Sequence, residues 1–221
     1  MLRRCVWLTI FLCSGTVSAL QSPSQPTPAP VAATKVATAA SATVTVRLQT
    51  ELGPIILTID REHAPLTAAN FLHYVEQKRL DGTTFYRALK LEGRSDLGLV
   101  QAGTRGDPKR VLKPIAHEST LATGLSHTDG ALSMARAGVG TATGDFFIVI
   151  GDLSSLDAKP ADPASGQAED AGYAVFGRVT EGMDVVHALL EQPVDAGLGP
   201  EGLRGQMLAK PVKILTARRM D

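Results

Sequence analysis

From Val44 onward the chain alternates. Val44, Val46 and Leu48 are interleaved with Thr45, Arg47 and Gln49, and after Gly53-Pro54 the residues Ile55, Ile56, Leu57 and Ile59 carry the apolar run to Asp60. Neighbouring side chains on a strand point to opposite faces, so this spacing around a Gly-Pro turn predicts a β-hairpin with one face in a core. The period then changes. Within 64–75, Leu66, Ala69, Leu72 and Val75 recur at the spacing of one helical face, and Pro65 stands where its fixed φ suits a first helical turn. Strand-like segments follow at 83–89, 97–102, 130–135, 145–150, 174–180 and 212–217, with a second helix at 183–191. Many short strands, few helices and glycine-rich turns predict a mainly β fold, a closed or nearly closed antiparallel barrel with its open ends covered by the helices. Closure removes the unpaired strand edges that invite aggregation.

Two segments of different composition precede the alternating region. Residues 1–19 open with Arg3 and Arg4, run through an apolar stretch at 6–12 and end Val17-Ser18-Ala19, the order of a secretory signal peptide cleaved after Ala19. The stretch is far shorter than the ~20 apolar residues of a spanning helix. A lipid anchor on Cys13 would want a small residue where Leu12 stands. No stable membrane insertion is therefore expected, and the mature protein is expected in the periplasm or outside the cell. Cys5, Cys13 and the single tryptophan all lie in this segment. Its removal leaves neither a disulfide nor a cysteine nucleophile available, which avoids wrong pairing in an oxidising compartment. Residues 20–43 consist mostly of Ala, Thr, Ser and Pro with Lys35 as the one charge. They lack the apolar surface that offsets ordering entropy and read as a flexible linker. Residues 44–221 then form one domain.

Charge excludes some partners. The 221 residues carry 22 basic and 22 acidic side chains, and 20 against 22 without residues 1–19. Such a balance gives no electrostatic reason for nucleic acid or an anionic membrane as a partner. Motifs exclude some chemistries. The histidines at 63, 73, 117, 127 and 187 are scattered, and His117-Glu118 lacks the second histidine of a zinc-protease helix, so no metal is expected. Gly124-Leu125-Ser126-His127-Thr128 ends in threonine where a hydrolase elbow needs glycine. Gly138-Val139-Gly140 lacks the third glycine of a dinucleotide loop, so no cofactor is expected either. The aromatics after residue 19 instead fall in close groups: Phe71/Tyr74, Phe85-Tyr86, Phe146-Phe147 and Tyr173/Phe176. On a strand, one of two neighbours can enter the core while the other lines a surface groove.

These residues carry a family resemblance. Thr84-Phe85-Tyr86-Arg87, Leu99-Val100-Gln101-Ala102-Gly103, Gly130-Ala131-Leu132-Ser133-Met134-Ala135, Asp145-Phe146-Phe147-Ile148 and the segment 172–183, in that order and approximate spacing, resemble the cyclophilins over about residues 44 to 192. The resemblance implies an eight-stranded antiparallel barrel capped by two α-helices, with peptidyl-prolyl cis-trans isomerase activity and no metal or cofactor. It implies proline-containing polypeptides as partners and a monomer as the working form. By the same resemblance Arg87 donates to the prolyl nitrogen, Phe147, Leu99 and Leu156 form the proline pocket, and Gln101 contacts the peptide backbone. Ala135, Arg136 and Ala137 would line the adjoining groove.

Several departures bear on activity. Asp145 replaces the family's usual glutamine and could pair with Arg87 or Arg136; if it ties up Arg87, Asp145→Gln should raise activity. Ser155 stands in the place of a frequent tryptophan, Tyr173 in that of a histidine, and Gly98 in that of a pocket phenylalanine. Arg87 and Gln101 are farther apart than usual, and 157–171 is extended with Pro160 and Pro163. The alternative reading is a cyclophilin-like module with weak or no catalysis that binds proline-containing peptides.

Overall fold

The structure, a computed structural model, describes residues 41–220. The expected signal peptide and nearly all of the expected linker lie outside the described residues. The first hairpin joins β1 (Thr43–Thr50) to β2 (Gly53–Asp60), and α1 (Pro65–Glu76) follows. A second hairpin, β3 (Thr84–Leu91) and β4 (Arg94–Gly103), leads to a long loop holding the one-turn helix α2 (Thr120–Thr123). Then come β5 (Ala131–Met134), β6 (Phe146–Ile150), β7 (Val175–Glu181) and α3 (Met183–Leu190). The two-residue β8 (Val194–Asp195) and the long β9 (Met207–Met220) complete the domain. The strand order is β1-β2-β7-β5-β6-β4-β3-β9, and β1 pairs with β9, so eight antiparallel strands close a barrel. β8 is a short addition to the edge of β9. Beyond the expected elements the chain forms α2, β8 and two 3₁₀ turns, and β9 is much longer than the apolar stretch 212–217 suggested. It can be long because its two halves serve different partners, β3 and β8 early and β1 late.

Alternation does in space what it does in sequence. Val44, Val46, Leu48, Ile55, Leu57 and Ile59 all point into the barrel and are buried. Phe85, Phe146 and Phe176 meet inside with Phe71 of α1. Phe71 lies edge-on to Phe146 at 5.3 Å and tilted to Phe176 at 5.2 Å. Such aromatic pairs contribute ~0.5–1.5 kcal/mol each beyond their buried area. Phe71 and Tyr74 depart from the one-in, one-out pattern because they sit on a helix, three residues apart on the same face, and both are buried. α1 is anchored at its start by a distant side chain. Ala64 offers no side-chain cap, and Glu118 accepts from the N–H groups of Leu66 and Thr67 at 3.0 and 2.7 Å. A carboxylate there also meets the positive end of the helix dipole.

A second, smaller apolar cluster lies on the outer face of the sheet. Leu99, Ala131, Phe147, Val149, Leu153 and Val175 form it, with Leu89, Leu156 and Tyr173 packed against it. These side chains have the opposite parity to the barrel core on β4, β5 and β6. The outer face is thus apolar where β4, β6, β5 and β7 run side by side, and the candidate site is built there.

Candidate active site

Arg87 reaches this outer face because β3 is irregular. Phe85 pairs with Ala102 and Arg87 with Gln101, so Tyr86 is the extra residue of a β-bulge. Strict alternation from the buried Phe85 would send Arg87 into the barrel. The extra residue reverses the parity, so Ala88 returns to the core and Arg87 and Leu89 face outward. The side chain is then held by two amides. Nη1 donates to Gln101 Oε1 at 2.8 Å, while Nε and Nη2 both donate to Gln206 Oε1 at 2.9 and 2.6 Å. Burial lowers the Arg87 pKa from the usual arginine value, yet a guanidinium stays charged at neutral pH. Three of its five N–H donors are engaged among the described residues, and two remain for a ligand.

Beside the guanidinium lies an open groove of about 360 Å³. Of the residues singled out in the sequence, Arg87, Leu99, Gln101, Ala135, Arg136, Phe147, Leu156 and Tyr173 line it together. Its floor is Phe147, edge-on to Tyr173 at 5.6 Å. Arg136 closes one side, its guanidinium 4.8 Å above the Tyr173 ring and donating to the Gly172 carbonyl. Larger depressions of about 520 Å³ flank α1, one of them by Arg61 and Glu62. Neither of these sets a guanidinium over an aromatic floor.

Three lining or holding residues were not legible in advance. Leu89 needed the bulge to be known. Leu203 and Gln206 come from the segment between β8 and β9, at the 3₁₀ turn Glu201–Leu203. That segment is rich in glycine and without period, and no sequence signal links it to a residue more than a hundred positions earlier.

Two of the residues singled out stand outside the groove. Ala137 is exposed on the adjoining loop. Asp145 touches neither Arg87 nor Arg136; it accepts from Tyr86 Oη at 3.1 Å, from the Arg105 N–H at 2.9 Å and from Thr104 Oγ1 at 3.3 Å. The expected ion pair is therefore corrected. Tyr86, pushed out by the bulge, stands between Asp145 and the arginine. Burial raises the Asp145 pKa, and its three donors oppose that shift. Gly98 is also not a vacant pocket position. A Cβ there would come within 2.3 Å of the Leu89 carbonyl oxygen and 3.1 Å of Leu190 in α3, away from the groove. Ser155 is exposed in the 3₁₀ turn Ser154–Leu156. The extra residues between Arg87 and Gln101 lengthen the β3–β4 hairpin, and 157–171 folds on itself through the bridges Lys159↔Asp170 and Asp162↔Gln167.

Behind the floor is a buried polar group. The His127 ring lies parallel to Phe147, 5.9 Å between centroids and 11° between planes. Its Nδ1 faces Asp157 at 2.5 Å and its Nε2 faces Ser133 Oγ at 2.9 Å. His127 is fully buried. Burial lowers its pKa, and the attraction of Asp157 does not reverse this. A neutral ring satisfies both neighbours, with Nδ1–H donating to Asp157 and Nε2 accepting from Ser133. The folded chain therefore binds this proton less readily than the unfolded chain, whose histidine titrates near 6.5. Stability from this group is fully present above pH ~6.5 and is lost as pH falls below it toward the folded value. The urea midpoint should thus decline from pH 7.5 to 5, and His127→Gln should flatten that slope while lowering the midpoint at pH 7.5. An equal slope in both proteins would assign the loss to other groups.

Comparison with known proteins agrees with this geometry. The family profile described as "Cyclophilin type peptidyl-prolyl cis-trans isomerase/CLD" matches residues 45–219. The chain is 33% identical over 183 residues to a peptidyl-prolyl cis-trans isomerase of Acinetobacter baylyi, covering 81% of this chain and 87% of that protein. It is 38% identical over 148 residues to one of Streptomyces antibioticus, covering 66% and 82%. A cyclophilin-type isomerase of Cryptosporidium parvum, crystallised in the presence of the dipeptide Ala-Pro, shares the fold with a TM-score of 0.62 at 20% identity, over 80% of this chain and 99% of that one. The chain belongs to the cyclophilin-type peptidyl-prolyl cis-trans isomerases.

Proposed function

We propose that this isomerase acts on X-Pro bonds of exported polypeptides, seating the proline ring on Phe147, Leu99 and Leu156 and donating from Arg87 to the prolyl nitrogen. The observation that carries the reading is Arg87, with two N–H groups to spare, beside a groove whose floor is aromatic and whose walls include four leucines. Rotation about X-Pro crosses a barrier of about 18–20 kcal/mol set by conjugation of the amide nitrogen with its carbonyl. As the bond twists, the nitrogen pyramidalises and its lone pair becomes an acceptor. A donor placed there favours the twisted state over both planar ones.

One charge-assisted hydrogen bond contributes about 1.5–3 kcal/mol, whereas a 10⁶-fold acceleration needs about 8 kcal/mol. The groove must supply the difference. Apolar walls strip water from the amide, so its carbonyl loses the solvent that stabilises the planar, charge-separated form, and every remaining hydrogen bond strengthens. The fixed ring position adds orientation. Arg87 is suited to this work because both of its partners are neutral amides. Among the described residues no carboxylate pairs with it, which also removes the reason Asp145 gave for expecting a non-catalytic peptide-binding module.

The test is direct. The full chain should accelerate cis-to-trans isomerisation of an Ala-Pro-Phe type peptide, and a rate no better than buffer would sink the proposal. The export half rests on residues 1–19. The cell-associated mature protein should begin at Leu20 by N-terminal sequencing, and Met1 at the terminus of the active protein would count against it.

A further inference from the structure

Tyr86 and Asp145 are not in the groove, yet both belong to one chain of hydrogen bonds that ends on Arg87. Arg87 Nη1 donates to Gln101 Oε1 at 2.8 Å, Gln101 Nε2 donates to Tyr86 Oη at 2.7 Å, and Tyr86 Oη donates to Asp145 Oδ1 at 3.1 Å. Every donor points the same way. A carboxamide is nearly symmetric in shape, and what decides which end meets Arg87 is what its neighbours demand. Arg87 can only donate, so it needs the oxygen. Tyr86 can donate or accept, so the other end of Gln101 is welcome only while the phenol proton is directed elsewhere. A carboxylate accepts only, and Asp145 takes that proton.

We propose that Asp145 is a positioning residue for Arg87, its carboxylate fixing the direction of the Tyr86–Gln101 chain so that Gln101 Oε1 is held toward the guanidinium. The proposal rests on the reading of Arg87 given above. The surroundings of Asp145 are built to keep it in place. Thr104 Oγ1 donates to its second oxygen, and the Arg105 N–H donates to the first. Arg105 adopts a left-handed φ of 51°, which is uncommon outside glycine, and in that conformation its guanidinium lies 5.0 Å above the Tyr86 ring. Burial, and then the charge of Asp145, raises the Tyr86 pKa, so the ring keeps the proton it must donate. The negative charge remains separated from Arg87 by a phenol and an amide. It orders the cation without neutralising it.

Asparagine at 145 keeps this direction, because the Arg105 N–H can only donate and holds the amide oxygen where Tyr86 also donates, while the NH₂ falls on the Thr104 hydroxyl, which can accept. Alanine removes the acceptor, so the phenol is free to point its proton at Gln101, where two donors would meet. Asp145→Ala is expected to lower kcat about 5- to 10-fold, the worth of one misdirected hydrogen bond, with KM within about twofold, and Asp145→Asn should recover most of that loss. Tyr86→Phe should lose as much as Asp145→Ala. Because both act along one path, Asp145→Ala should add nothing in the Tyr86→Phe background. In ¹⁵N spectra the Arg87 Nε–H and the Gln101 side-chain NH₂ signals should both move in Asp145→Ala. A wild-type kcat in Asp145→Ala, or losses that multiply in the double variant, would overturn the relay. If Asp145→Ala does not fold, Tyr86→Phe with a wild-type kcat would overturn it equally. The outcome is separable from the fate of Arg87 itself: an Arg87→Ala variant with full activity removes the catalytic reading, whereas a dead Arg87→Ala beside a fully active Asp145→Ala removes only the relay.

Discussion

Arg87→Ala is expected to lower kcat/KM for an Ala-Pro-Phe type peptide by about 10²- to 10³-fold, the usual cost of removing one preorganised donor from a water-poor site. The loss should fall on kcat, because the bond to the prolyl nitrogen forms only as the amide twists and its lone pair becomes available. Arg87→Lys should recover less than about tenfold of this. A lysine ammonium is a compact charge on a flexible stem, and it cannot reproduce the planar fork that binds Gln206 through Nε and Nη2 while reaching Gln101 through Nη1. The unfolding midpoint should move little, since the side chain lies outside both apolar clusters. A loss under about tenfold would mean that the groove itself carries the catalysis. A loss confined to KM would make Arg87 a peptide clamp.

The sequence showed some of this site and hid the rest for definable reasons. Alternation at Val44 to Ile59 was legible because side-chain period is local, and it led directly to the barrel. The choice of Arg87 as the proposed donor rests on the family resemblance, not on alternation, which without a bulge would have buried it. A bulge has no reliable local signature here: Tyr86 is as good a strand residue as its neighbours, and only the pairing with Ala102 and Gln101 shows it to be extra. Asp145 was visible as a departure, but its partner could not be read. Two cations, Arg87 and Arg136, lay within plausible reach, and the choice instead of Tyr86 and the Arg105 backbone goes with a left-handed loop conformation at Arg105. Gln206 was invisible for the plainest reason. Its segment has neither period nor motif, and it approaches Arg87 only because β9 closes the barrel beside β3.

Replacing Phe147 by alanine should give the second large effect, and of a different kind. Its ring forms the floor of the groove, and removing it takes away apolar contact worth about 1.5–3 kcal/mol to a seated proline, or about 10- to 150-fold in kcat/KM. In the seating proposed above the proline ring touches the floor in the planar and twisted amide alike, so the interaction is shared by ground and transition states. The loss should therefore fall mainly on KM, opposite to Arg87→Ala. Phe147 also covers His127, whose ring is stacked against it, and it meets Tyr173 edge-on. Truncation exposes a buried imidazole to water from the groove, which relieves the burial that lowers its pKa. In Phe147→Ala the decline of stability below pH ~6.5 should become shallower than in the wild type, because the gap between the folded and unfolded histidine values narrows. Phe147→Leu keeps an apolar floor and most of that cover. It should restore KM to within about tenfold together with most of the wild-type pH slope, while Phe147→Ala restores neither. If Phe147→Ala instead lowered kcat at unchanged KM, the ring would be acting on the twisted amide alone, and the pocket would have to be placed elsewhere along the groove.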